Sequence, residues 1–194
     1  EDMLPMTGLL SLYGMATVAI NHPLHGDPSL GPTAGSRGFD LNGDGVDDIV
    51  FARTAADELL VYLSTLNGSF AAPTVVDTAN NVRALGRGSL DGQSGVDVVA
   101  AGRDDGEVWL HAGDGAGGLA TGLPSTTPDQ PRGLSVADLD GSFDDDIAVV
   151  SEGGEALAVH LSEGGGSFAL PVTYPLAGKG GSIARADFDG AGGE

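Results

Sequence analysis

The sequence contains no cysteine, so no disulfide can staple it, and the redox compartment is left open. Positive charge is scarce: 8 Lys and Arg stand against 28 Asp and Glu, for a net charge of −20. That balance excludes nucleic acid and anionic membrane surfaces as partners, because both are held by cationic patches. It favours cations and basic partners instead. No long apolar run is present. The stretch Leu9 to Ile20 covers 12 residues, too few to cross a bilayer, so membrane insertion is not expected. No signal peptide is visible at Glu1. Long helical windows are missing too, since Gly or Pro interrupts almost every dozen residues.

Glycine is abundant, with 33 residues, and Pro adds 10. Hydrophobic residues reach 41% and cluster between the glycines, which describes short buried elements joined by tight turns rather than a disordered chain. A secreted chain of this kind, lacking disulfides, needs another staple, and a bound metal would serve.

Acidic segments recur at a fixed spacing. Asp40, Ser89, Asp138 and Asp187 begin equivalent loops, 49 residues apart each time without a gap. Other columns keep the period: Leu41, Leu90, Leu139 and Phe188; Gly43, Gly92, Gly141 and Gly190; Asp48, Asp97 and Asp146; Leu59, Val108 and Leu157; Phe70, Leu119 and Phe168. Each unit holds about four short apolar runs, and four strands of ~5–6 residues with connections of ~6 fill it. A four-stranded antiparallel unit that cannot bury both faces alone, and must stack on its neighbours, is a β-propeller blade. The expected fold class is therefore all-β, a propeller of four-stranded antiparallel blades with a 49-residue repeat.

Strands are expected near Ile49–Arg53, Leu59–Leu63, Val98–Gly102, Val108–His111, Ile147–Ser151 and Leu157–Leu161. The repeats run 39–87, 88–136 and 137–185, with a truncated fourth from 186. Residues 1–38 fit the period poorly and are read as a degenerate preceding blade or N-terminal strands. Because Glu194 falls inside the fourth acidic loop, the chain is expected to be a fragment of a larger propeller of about seven blades.

The loops carry the chemistry. Asp40, Asn42, Asp44 and Asp48 stand at positions 1, 3, 5 and 9 of the first loop, with Gly45 at position 6 and the Val46 carbonyl at position 7. Oxygen ligands alternating on a tightly turned loop converge on one point, as Ca²⁺ requires with its six to eight oxygens. The loop is not an EF-hand: position 12 is Phe51, not Glu, and the flanks read as strands. The third loop offers Asp138, Asp140, Ser142, Asp144 and Asp146, with Phe143 in place of the turn glycine. The second offers Ser89, Asp91, Gln93 and Asp97, and the fourth Asp187 and Asp189. The competing reading is that these are turn residues capping their own backbone. Several carboxylates in one loop repel one another without a cation, which favours metal.

The pattern Asp-x-Asn-x-Asp-Gly-x-x-Asp of Asp40 to Asp48, with the turns Gly68-Ser-Phe70 and Gly166-Ser-Phe168, closely resembles the FG-GAP/VCBS repeat family known from integrin α-subunit propellers. The resemblance spans residues 39–194. It implies a calcium-binding, secreted or cell-surface propeller acting as an adhesion or protein-interaction module. Its ligand would be an extracellular protein or a glycan. The alternatives are a glycan-binding lectin propeller, or a non-catalytic propeller within a larger secreted enzyme.

The remaining candidates are weaker. His111, His160 and Tyr62 share one column. Equivalent positions on stacked sheets lie about 10 Å apart, too far for a shared metal, and partly exposed strand positions are expected for them. His22, His25 and Asp27 sit together in a Pro/Gly loop, a weak metal signal. Trp109 reads as a packing residue between sheets or, less favoured, a sugar-stacking platform. No nucleophile elbow, phosphate loop or zinc motif is present, so no enzyme activity is expected.

Overall fold

The computed structural model describes residues 39–65 and 67–186. The expectations for residues 1–38, including His22, His25 and Asp27, and for Asp187 and Asp189 in the fourth loop lie outside the described residues. Among the described residues the secondary structure is strand and turn, with no helix.

Strands β1 (Ile49–Arg53), β2 (Glu58–Tyr62) and β3 (Thr74–Asp77) form an antiparallel meander. Next come β4 (Val82–Gly88), β5 (Asp97–Gly102), β6 (Glu107–His111) and β7 (Leu123–Thr126), a four-stranded antiparallel sheet in that order. The third sheet orders β8 (Pro131–Ala137), β9 (Asp146–Ser151), β10 (Ala156–His160) and β13 (Val172–Pro175) in the same way. A short hairpin, β11 (Ser162–Gly164) with β12 (Ser167–Phe168), fills the β10–β13 connection. Single bridges stand at the same place in the other two sheets, Ser64 with Phe70 and Gly113 with Leu119. All six strands anticipated from the period are present, with ends within one residue of the expected ones.

Sheets and sequence repeats are out of phase. Strand β4 lies in the repeat 39–87 yet pairs with β5 of the next repeat, and β8 does the same one unit later. Both strands carry a register shift at matching positions, between Val82 and Ala84 and between Pro131 and Gly133. Each repeat is thereby tied covalently and by hydrogen bonds to the sheet that follows it.

Two apolar layers hold the sheets together. Strand β5 is buried along its whole length, so alternation sends Val98 and Ala100 to one face and Val99 and Ala101 to the other. The first face packs with Phe39, Leu41, Val50, Ala52, Leu59 and Val61 of the preceding sheet. The second packs with Val136, Ile147 and Val149 of the following one. A sheet covered on both faces needs near-continuous apolar strands, which is why Asp97-Val-Val-Ala-Ala101 and Ile147-Ala-Val-Val150 lack the polar alternation of a half-solvated sheet. Strands β4 and β8 pack against each other, whereas β3, β7 and β13 are largely exposed at the far edges. The three described acidic loops each precede the first full strand of a repeat, β1, β5 and β9, and therefore emerge at one end of the sheets.

Candidate metal centre

The period-49 aspartates Asp48, Asp97 and Asp146 are all buried, and each does the same mechanical task. One carboxylate oxygen accepts the amide of the second residue of its own loop: Leu41 at 2.8 Å, Leu90 at 2.7 Å and Leu139 at 2.8 Å. The other accepts an amide beyond the adjacent strand: Ser64 at 2.8 Å, Gly113 at 2.9 Å and Ser162 at 2.7 Å. The sequence supplies these groups as loop position 9. Asp97 also accepts the Asp91 amide at 3.2 Å. Burial, opposed by these amides, holds its carboxyl above the usual Asp value.

In the third loop Asp138, Asp140 and Asp146 each bring a carboxylate oxygen within 4.8 Å of the others. Ca²⁺–oxygen bonds run about 2.3–2.6 Å, so two ligands of one ion stand up to about 5 Å apart and this triad fits the ion. The oxygens already accept amides: Gly141 and Phe143 on Asp138, at 2.6 and 3.1 Å, and Ser142 on Asp140, at 2.9 Å. A carboxylate oxygen has two lone-pair sites, so each retains one. Ser142 lies between the ligands in sequence. Asp144 does not join the triad; its oxygens approach the backbone of Gly92 and Gly164 instead, with 3.7 and 3.6 Å to the position a Cβ would take.

Among the described residues no other loop brings three carboxylates this close. The first loop has the most complete motif, yet it closes on its own amides. Asp40 accepts Gly43 and Gly45 at 2.8 Å and Asp44 at 3.1 Å. Asn42 accepts the Asp44 amide at 3.0 Å, and Asp44 the Val46 amide at 2.8 Å. In the second loop Asp91 accepts the Gln93 amide at 2.8 Å, and the backbone of Ser89 bonds to the third loop.

That last contact was not legible in the motif. The Ser89 amide donates to Asp145 Oδ2 at 2.7 Å, and the Asp145 amide donates back to the Ser89 carbonyl at 2.9 Å. This pair fastens the second loop to the third. Its column reads Asp47, Val96, Asp145, so no periodic signal marks it.

One expectation changes. His111 and His160 are fully buried rather than partly exposed, because their column faces the seam between sheets. They are not brought together, each serving a different seam. Trp109 is half-buried, packs on the first apolar layer, and its Nε1 donates to Glu107 at 2.8 Å, as a packing residue does.

No protein-family model matches the chain, and no curated protein matches it. Among solved structures, a chain of the Photorhabdus luminescens Tc holotoxin pore is similar at 21% identity with a TM-score of 0.44. The match covers 71% of this chain and 7% of that one. The chain thus spans a small fraction of that protein's length, and at this score the likeness assigns neither family nor function.

Proposed function

We propose that this chain is a segment of an FG-GAP/VCBS-type β-propeller whose blades are stiffened by Ca²⁺, and that it serves as an extracellular adhesion or protein-interaction module without chemistry of its own. The observation that carries the reading is the convergence of Asp138, Asp140 and Asp146 within 4.8 Å in a loop that recurs with the sheet period. When bound, the ion would offset the mutual repulsion of three carboxylates, leaving one net negative charge at the loop. The chain's own part is to hold them: Asp146 is pinned by Leu139 and Ser162, and Asp138 by Gly141 and Phe143.

A glycan-binding reading is less well supported, because the one tryptophan is half-buried and hydrogen-bonded within its own strand. The acidic surface that remains favours a basic or neutral protein partner over a polyanion. The test is a thermal melt in millimolar Ca²⁺ and in chelator, beside a binding screen against extracellular proteins and glycans under both conditions. Each site filled at tenfold excess over its Kd adds about 1.4 kcal/mol, so chelation is expected to lower the melting temperature by several degrees. Identical melts, or robust hydrolase turnover, would overturn the proposal.

A further inference from the structure

His111 on β6 is held at both ring nitrogens. Nδ1 lies 3.1 Å from the Ala120 carbonyl, and Nε2 lies 2.9 Å from Thr78 Oγ1. A carbonyl only accepts, so Nδ1 carries the proton and Nε2 accepts from the Thr78 hydroxyl. Thr78 follows β3, so this buried bond joins the first sheet to the second.

Forty-nine residues on, the same three positions are Thr127, His160 and Ala169. Here the bond is open. Thr127 Oγ1 and His160 Nε2 are each buried without a hydrogen-bond partner, and Nδ1 reaches Ser125 Oγ only at 3.4 Å. Buried polar atoms are costly to leave unpaired. The two orphans belong to the two residues that the repeat pairs one unit earlier, and Ala169 repeats the backbone contact of Ala120: its amide donates to Leu161 as that of Ala120 donates to Ala112.

We propose that Thr127 and His160 form a proton-operated latch between the second and third sheets: the neutral ring turns to the arrangement seen at His111 and closes on Thr127, and the protonated ring leaves it. In the closed form Nε2 must accept a hydrogen bond, which an imidazolium cannot do. The cation would also stand unpaired in an apolar seam. His160 is faced by Ile147 from β9, by the Phe168 ring from β12 at 6.4 Å and by Ser125 from β7. Strand β13 pairs with β10 only as far as Val159. None of these groups ionises. The nearest carboxylate along β9 is that of Asp146, turned to the Leu139 and Ser162 amides. Burial alone pushes the His160 ring down to about 4, so the neutral form is the resident one at pH 7.

The test follows the imidazole nitrogens of the full chain by NMR from pH 7.5 to 4, with Thr127→Val beside the unsubstituted protein and Thr78→Val as the reference for a closed bond. The latch predicts a neutral, Nδ1-protonated His160 at pH 7.5 whose Nε2 is shifted like that of His111. It predicts that Thr127→Val removes the shift and lowers the melting temperature by about 2–4 °C at pH 7.5, and by less at pH 4. An Nε2 shift indifferent to Thr127, an equal loss at both pH values, or titration near the ordinary 6.5 would overturn it. If Thr127→Val does not fold, the unsubstituted protein decides: a hydrogen-bonded Nε2 at pH 7.5 that is lost on acidification supports the latch, and an unbonded Nε2 throughout sinks it.

Discussion

Asp48 and Ser64 stand 16 residues apart in sequence, and the Ser64 amide donates to Asp48 Oδ1 at 2.8 Å, while Oδ2 of the same carboxylate takes the Leu41 amide. One buried side chain thus ties the start of a loop to the far end of the neighbouring hairpin. The pairs Asp97 with Gly113 and Asp146 with Ser162 repeat the arrangement.

Asparagine cannot replace these aspartates. Its amide nitrogen donates, so in Asp97→Asn either the Leu90 or the Gly113 amide meets a donor and is left unsatisfied. The expected loss is about 1–3 kcal/mol, read from the midpoint of urea unfolding with the slope unchanged. A loss within 0.5 kcal/mol, the scale of an ordinary surface change, would remove the aspartate from its structural role.

Phe143 is the reverse case. It is 94% exposed and holds φ at +75°, where the first loop has Gly45 at +85°. A left-handed backbone costs a non-glycine residue about 1–2 kcal/mol, and the exposed ring recovers none of it by burial. Phe143→Gly relieves that strain but gains unfolded-state freedom worth roughly 0.5–1 kcal/mol. A net rise in stability of about 0.5–1 kcal/mol is expected in thermal melts, and a fall would show that the ring has a partner within the chain.

Gly102 closes β5 against the first sheet. An added Cβ would lie 2.5 Å from the Ala79 Cβ and 3.2 Å from the Asn80 carbonyl oxygen, with no flexible side chain to give way. Gly102→Ala is expected to cost about 1–3 kcal/mol by overpacking. Gly178→Ala, where nothing lies within 4 Å, serves as the control and should be nearly neutral.

Stability should fall as the solution is acidified below neutrality. His160 is depressed to about 4, and His111 is also lowered, by burial first, opposed by its bond to Ala120. Their unfolded pKa is about 6.5. Between the two values the unfolded chain binds more protons, so stability is full above pH 6.5 and is lost on acidification, by up to about 3 kcal/mol for His160. Asp97 acts oppositely: its raised carboxyl takes a proton more readily when folded. The difference between the unsubstituted chain and a His160→Phe variant across pH 7.5 to 4 isolates the histidine, and parallel curves would contradict the assignment.

Periodic features were the legible ones. The strands, the buried aspartates and the continuous apolar runs of β5 and β9 repeat every 49 residues, and repetition separates them from chance. Other features depend on which face meets a neighbour, and a column of residue names does not state that. His111 and His160 read as half-exposed from the column alone, yet they are buried because their column faces a covered seam. Thr78 keeps the period but is an ordinary residue until its partner, His111, is seen across the seam. The Asp145–Ser89 pair breaks the period altogether. In the loops the motif is most complete in the first, where Asp40 accepts three amides of its own loop, while the convergence of three carboxylates is found in the third.

The central claim is that the third loop binds Ca²⁺, and calorimetric titration of CaCl₂ into the chelator-treated chain tests it most directly, alongside Asp140→Asn. Asp140 is exposed and its single bond here is to the Ser142 amide, so the variant removes a ligand charge while leaving the Asp146 clamp in place. The account predicts saturable binding with Kd of about 10⁻⁴–10⁻³ M, the range of extracellular modules, weakened at least tenfold at one site by Asp140→Asn. No heat of binding up to about 10 mM Ca²⁺, tenfold above that range, or binding that Asp140→Asn leaves unchanged, would contradict it.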